Sequence, residues 1–197
     1  LEVRIAEENN NEVLLRGETI TPGYYNKPAE TAKVIDADGW FHTGDAGYIK
    51  NGELFLTERI KDLFKTSNGK YIAPQMLEAG LVVDRFIDQV VIIANERKFV
   101  SALIIPEYKL LAEWAGENGV EYSDLADLCA NPLTNGMVLS RIQTLQQGLA
   151  AYEQVKRITL LPEPFSIEKG ELTNTLKVKR PAVTANYDAL IEKMYEE

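Results

Sequence analysis

The 197 residues carry 45% hydrophobic and 26% charged side chains, ordinary values for a soluble globular protein that can bury a core without disulfide or metal staples. The formal net charge is −9, with 6 basic against 11 acidic residues in 1–60 and 15 against 19 in the remainder, which excludes a general nucleic-acid or anionic-membrane binder and requires any anionic ligand to be met by a local cluster. A single cysteine, Cys129, rules out an intrachain disulfide and favours a reducing, cytoplasmic compartment; a single histidine, His42, rules out a His-rich metal site.

In chain order, residues 1–60 read as short strands separated by turns. Leu1-Val3-Ile5, Glu12–Arg16, Tyr48–Ile49 and Leu54–Thr57 alternate or run apolar. Asn9-Asn10-Asn11, Thr21-Pro22-Gly23 and Asp38-Gly39 are turn chemistry, and Asn51-Gly52 between two β-prone runs marks a hairpin. Pro28 opens a short helix that ends before Asp38-Gly39. No apolar run approaches the length of a membrane span. The opening LEVRIAEENNNEVLLRG has neither an initiator Met nor a signal-peptide pattern, and is expected to be chain cut from something longer.

Beyond Asp62 the pattern becomes mixed α and β, so the domain boundary is expected between Arg59 and Asp62. Pro74 is placed to start a helix through about Asp84. Gln89–Ala94 and Phe99–Pro106 form a second hairpin around Asn95–Lys98. A helix with Leu110, Leu111, Trp114 and Ala115 inward follows. Asn131-Pro132 opens another, with Leu133, Met137, Ile142, Leu145, Leu149 and Tyr152 near one face. Val155–Leu161 returns as a strand. Pro181 opens a last helix whose apolar stripe is Val183, Tyr187, Leu190, Ile191 and Met194. The apolar neighbours of Cys129 (Leu125, Ala126 and Leu128) predict a buried thiol.

Several residues are equipped for chemistry. Asp45, in Thr43-Gly44-Asp45, suits either a turn cap or an acceptor for both hydroxyls of a ribose. Arg59, after the strand Leu54–Thr57, suits either a surface ion pair or a second donor to that sugar. The loop Lys65–Lys70 has basic ends and one glycine, Gly69; it is a simple turn or a place where a ligand passes close to backbone, and it is not a Walker A loop. The stretch SIEKGELTNTLKVKR, residues 166–180, is a solvated basic segment or a mobile loop that delivers a lysine to a phosphate. No Gly-X-Ser-X-Gly elbow accompanies His42.

Together these pieces resemble the adenylate-forming superfamily, specifically the long-chain fatty acyl-CoA synthetases. EVLLRGETITPGYYNKPAETAKVID is similar to the family's GELxxxGxxVxxGYxNxPExT segment, and DGWFHTGDAGYI to its GWxxTGDxG segment. ERIKDLFKTSNGKYIAP is similar to GRxKDxxKxxxGxxIxP, and GELTNTLKVKRP to the C-terminal lysine motif. Four matches in order cover nearly the whole chain. The resemblance implies an α+β fold: residues 1–60 as the β-rich tail of a large AMP-binding domain, and 61–197 as a small mixed C-terminal domain with a short hairpin and a small sheet packed with helices.

It also implies a two-step ligation of fatty acid, ATP and coenzyme A. Asp45 and Arg59 would bind the ribose, Leu56 the nucleoside, Lys177 would be the catalytic lysine, Lys61 the hinge and Gly69 the flank of the pantetheine tunnel. Lys169 and Lys179 are rivals to Lys177. Glu58 stands where the superfamily usually has glycine, Asn174 replaces a common proline, and Leu176 replaces the Gly of a Gly-Lys pair. A TSGTTGxPKG phosphate loop and a YGxTE segment do not occur in these residues. The chain is therefore expected to be a C-terminal part, inactive alone, that works with the rest of a large domain supplying the Mg²⁺ ligands. Peripheral membrane association of the parent is compatible with this. The other readings are a different acid–thiol or carrier-protein ligase, and a free-standing nucleotide- or CoA-binding module without catalysis.

Overall fold

A computed structural model describes residues 1–196, and the chain divides into two compact units, Leu1–Leu63 and Phe64–Glu197. The first is an antiparallel sheet of four strands in sequence order: β1 (Glu2–Ala6), β2 (Glu12–Arg16), β3 (Phe41–Lys50) and β4 (Glu53–Arg59). The β3–β4 turn has Asn51 at φ 54° and Gly52 at φ 81°, the left-handed pair whose twist matches the flanking strands. A short helix, α1 (Pro28–Val34), lies in the β2–β3 connection. Ala6, Leu14 and Trp40 form the small core. The Arg4 and Arg16 guanidinium groups lie 4.7 and 4.5 Å from the Trp40 ring centre and pack on it as cations on a π face.

β3 is much longer than Tyr48–Ile49. Thr43-Gly44-Asp45 reads locally as a turn but is a bulge inside the strand. Glu12 pairs with Ala46 and Leu14 with His42, so Val13 alone stands opposite Thr43, Gly44 and Asp45. Gly44 absorbs the extra residues at φ +71°, where a side chain would be strained.

The second unit is α+β, the class expected. A two-residue-per-strand hairpin, β5 (Phe64–Lys65) with β6 (Tyr71–Ile72), precedes helix α2 (Pro74–Leu81). A three-stranded sheet follows: β7 (Ile87–Ile93) antiparallel to β8 (Val100–Pro106), and β8 parallel to β9 (Val155–Leu160). Parallel neighbours need a long crossover. It runs through α3 (Tyr108–Glu117), α4 (Leu125–Ala130) and α5 (Pro132–Leu145), and α6 (Arg180–Asn186) and α7 (Asp188–Tyr195) close the chain.

The sheet is buried on both faces, so β7 and β8 are apolar without alternation. Val90, Ile92, Ala102 and Ile104 pack with Leu77, Leu81, Leu111, Leu128 and Ile142. Val91, Ile93, Leu103 and Ile105 pack with Phe165, Leu172, Val183, Ile191 and Met194. At about 1.5–3 kcal/mol for each large aliphatic side chain removed from water, these two layers outweigh every surface ion pair in the unit.

Several expected elements differ in extent. α2 stops at Leu81, short of Asp84. α5 ends at Leu145, so Leu149 and Tyr152 lie beyond it, and Leu133, Leu145 and Tyr152 are exposed rather than inward. The single closing helix is two helices that meet at Tyr187, and Leu190 is 38% exposed. α4 was not anticipated. The Asp124 carboxylate accepts from Asp127 N at 2.8 Å to cap its start. Cys129, on α4, is buried as expected, and burial raises its thiol pKa to about 11.

Candidate functional site

The β3 bulge aims Asp45 at the end of β4. Asp45 and Arg59 are cross-strand partners, and Arg59 Nε donates to Asp45 Oδ1 at 2.8 Å. The bulge backbone is held from within: Asp45 N donates to Thr43 Oγ1 at 3.1 Å, and that hydroxyl donates to Val13 O at 2.7 Å. The Asp45 side chain is 28% exposed, so a diol can reach its carboxylate. Leu56, on β4, is exposed as well. Sequence reasoning did not single out Glu12, the buried acid that accepts from Gly44 N. It also passed over Asp36, whose carboxyl is held below the usual range by the backbone N–H groups of Trp40 and Asp38, with His42 and Arg4 adding charge.

Lys61 is exposed and sits in a single 3-10 turn, Ile60–Asp62, flanked by extended residues Arg59 and Leu63. A single turn between extended residues can absorb a change of φ and ψ without breaking a longer element.

Within the second unit, the loop around Gly69 is the tip of the β5–β6 hairpin. Thr66 and Lys70 close it through Thr66 N to Lys70 O at 2.9 Å, and Gly69 N donates to Thr66 O at 2.9 Å. Ser67 N to Arg97 O, 3.0 Å, and Glu96 N to Lys65 O, 2.7 Å, fasten the tip to the β7–β8 turn. Gly69 has φ +75°, and a Cβ there would meet nothing within 4 Å in this structure. Local backbone geometry alone therefore calls for glycine here.

The basic stretch 166–180 is an irregular loop, as expected, pinned at a few points. Leu172 and Val178 form an antiparallel bridge, Thr173 N donates to Lys177 O at 2.8 Å, and Lys177 N donates to Thr173 Oγ1 at 3.0 Å. Leu176, at the turn, has φ +60°. That left-handed conformation explains why glycine suits the position before the lysine. The loop base is set by Glu171, whose buried carboxylate accepts from Ser166 N at 2.9 Å and from Asn186 Nδ2 at 3.1 Å. Its end is clamped by Arg180, bidentate to Glu78 at 2.5 and 2.6 Å.

The three lysines fare differently. Lys169 is committed to Glu163 at 2.5 Å, a contact that raises the pKa of the lysine and lowers that of the acid. Lys179 follows the bridge, with its backbone N bonded to Glu171 O at 2.7 Å. Lys177 is exposed beside the turn, and neither its ammonium nor that of the exposed Lys179 has an ion-pair partner among the described residues. The described residues contain no group of three His, Cys, Asp or Glu side chains able to hold a metal ion.

The α+β fold of the second unit is that of the C-terminal domain of adenylate-forming enzymes. The chain belongs to the AMP-binding enzyme C-terminal domain family, whose model matches residues 61–197. It is similar to long chain acyl-CoA synthetase 7, peroxisomal, of Arabidopsis thaliana, at 36% identity over 94% of this chain and 27% of that protein. It is also similar to long-chain-fatty-acid–CoA ligase 5 of Rattus norvegicus, at 38% identity over 95% of this chain and 28% of that protein. The chain thus spans little more than a quarter of the length of these relatives. Among solved structures, it resembles the A domain of carboxylic acid reductase from Segniliparus rugosus, held with AMP and a co-purified carboxylic acid. That match has a TM-score of 0.69 and 25% identity, and covers 98% of this chain and 31% of that one.

Proposed function

We propose that the chain supplies the ribose-binding turn, the hinge and the catalytic lysine of an ATP-dependent long-chain fatty acid–CoA ligase. In the first half-reaction a carboxylate oxygen attacks the α-phosphorus of ATP. The bond to the β-phosphate oxygen breaks, giving acyl-adenylate and pyrophosphate. In the second, the CoA thiol gives up its proton and attacks the acyl carbonyl; the bond to the AMP oxygen breaks, giving acyl-CoA and AMP.

Asp45 accepts from the ribose hydroxyls, Arg59 orients Asp45 and donates to the same sugar, and Leu56 lies along the nucleoside. Lys177 sets a positive charge against the attacking carboxylate and the α-phosphate oxygens as negative charge gathers there. Lys61 is the pivot about which the second unit moves between the half-reactions, and Gly69 flanks the path of the pantetheine arm. Magnesium would serve as the counter-ion of ATP, with its ligands expected outside these 197 residues. The remainder of a large AMP-binding domain is the partner this reading requires. No described helix is long and apolar enough to cross a membrane; a cytoplasmic parent with peripheral contact at the membrane is the proposed setting.

The observation that supports the reading is the presentation of Lys177, unpaired directly after the turn at Leu176 in a loop fixed at both ends, while Lys169 is tied to Glu163. The full-length protein given palmitate, ATP and CoA should yield acyl-CoA, AMP and pyrophosphate in equal amounts, and the 197 residues alone none. Release of ADP and phosphate, or acyl-CoA formation by the 197 residues alone, would count against it. The likeness to an AMP-bound carboxylic acid reductase domain supports a second reading, in which the acceptor is a carrier protein's pantetheine; acyl loading of such a carrier with no CoA turnover would select it.

A further inference from the structure

Glu12 opens β2 at 4% exposure, among the most buried charged residues of the first unit. Its Oε1 accepts from Gly44 N at 2.9 Å. Its Oε2 accepts from Asn9 Nδ2 at 2.5 Å and meets His42 Nδ1 at 2.8 Å. The other ring nitrogen of His42 is 3.7 Å from Asp36 Oδ2. Asp36 is in turn fixed through Oδ1 by Trp40 N at 2.8 Å and Asp38 N at 3.0 Å. An acid–imidazole–acid line therefore braces the start of β3, and its inner end bonds the residue directly before Asp45.

Burying a carboxylate costs several kcal/mol unless its lone pairs are satisfied. The next three residues of β2 (Val13, Leu14 and Leu15) show that the strand itself is content with aliphatic side chains. The acid serves the bulge amide of Gly44 together with Asn9 and His42. Gly44 sits at φ +71°, and a Cβ on it would come 4.0 Å from Arg59 Nη1. The amide that Glu12 holds thus lies beneath the Asp45–Arg59 pair.

We propose that Glu12 is a positioning residue of the ribose-binding turn. Through Gly44 N and His42 it holds the three-residue bulge at one setting, so that the Asp45 carboxylate is already aimed when the nucleotide arrives. This rests on the assignment of Asp45 to ribose. It predicts that loss of Glu12 weakens nucleotide capture and leaves the chemistry at Lys177 intact.

The test is pyrophosphate–ATP exchange by the full-length protein, read as KM for ATP and kcat. Glu12→Ala should raise KM about ten-fold, with kcat changed by less than about two-fold, because an orphaned bulge amide loosens binding by about one to two hydrogen-bond equivalents. Glu12→Gln retains an oxygen for Gly44 N but sets its NH2 against that of Asn9, and should recover part of the loss. His42→Gln, which keeps the fold but removes the brace, should raise KM about three-fold. An unchanged KM in Glu12→Ala, with Asp45→Ala raising it, would overturn the positioning role alone. An unchanged KM in Asp45→Ala would overturn the ribose assignment and this inference with it. A Glu12→Ala protein with a lowered unfolding midpoint and kcat reduced along with the rise in KM would mean that Glu12 serves folding only.

Discussion

Asp45 and Arg59 face each other across β3 and β4, with Arg59 Nε donating to Asp45 Oδ1 at 2.8 Å. The two side chains are 28% and 57% exposed, so water and salt screen the pair and it contributes at most about 1 kcal/mol to stability. Its value lies in the placement of a carboxylate beside a fixed donor on the ridge made by the Gly44 bulge.

Arg59→Ala and Asp45→Ala should each shift the unfolding free energy by less than about 1 kcal/mol. Each should raise KM for ATP at least about ten-fold, the scale of one charged hydrogen bond lost. Chemical denaturation and steady-state kinetics on the full-length protein read both quantities. A large loss of stability with KM unchanged would make the pair structural.

Leu176 holds φ +60° before Lys177. Asparagine tolerates that region and a β-branched residue does not. Leu176→Asn should be neutral or stabilising by up to about 1 kcal/mol, whereas Leu176→Val should cost about 1–2 kcal/mol and loosen the loop. Amide exchange at Thr173 and Lys177, whose backbones are bonded across the bridge, reports the loosening. Equal exchange in both variants would contradict the account.

Arg180 is bidentate to Glu78, whose Oε1 also accepts Ile92 N at 2.8 Å, and the guanidinium stacks 5.4 Å from the Phe64 ring centre. Both side chains are largely buried. Removal of either partner should cost about 3 kcal/mol, since the other is left as a poorly compensated charge. Arg180→Lys should not rescue, because an ammonium cannot reproduce the fork. A double-mutant cycle over urea midpoints should give a cost for the double variant well below the sum; strict additivity would mean that the two groups do not interact.

Asp36 carries a carboxyl pKa lowered from 3.8 in the fold by the N–H groups of Trp40 and Asp38. A depressed carboxylate stabilises the fold fully above its unfolded pKa, and that contribution is lost as pH falls through the folded value. Glu2, Glu163 and Glu192, lowered by Arg16, Lys169 and Arg97, act with the same sign. Urea midpoints should hold steady near neutral pH and decline below about pH 4, with Asp36→Asn flattening part of the decline. A midpoint that rises on acidification would refute this assignment.

Local chemistry was legible in the sequence wherever it decided the structure. Asn51-Gly52 placed the β3–β4 hairpin because a primed turn needs two left-handed residues in succession. The apolar runs of β7 and β8 were visible as strands, and their lack of alternation is that of a sheet covered on both faces. α4 escaped notice because six residues are too few to display a helical period, and the break at Tyr187 lies within an apolar stripe that continues across it. The bulge at Gly44 is a matter of register between strands, and Glu12 and His42 meet across 30 residues; neither leaves a local mark. The motif resemblance singled out Lys177, but the pairing of its rival Lys169 with Glu163 is a contact between side chains that no local pattern displays.

The central claim is that Lys177 acts on the first half-reaction alone. In the full-length protein, Lys177→Ala should lower the rate of acyl-adenylate formation about a hundred-fold or more, the scale of a lost transition-state charge contact. Thioester formation from preformed acyl-adenylate and CoA should stay within about two-fold of the unaltered protein. Lys169→Ala should leave both rates nearly unchanged. Equal loss of both half-reactions in Lys177→Ala, or loss of adenylation in Lys169→Ala instead, would contradict the account.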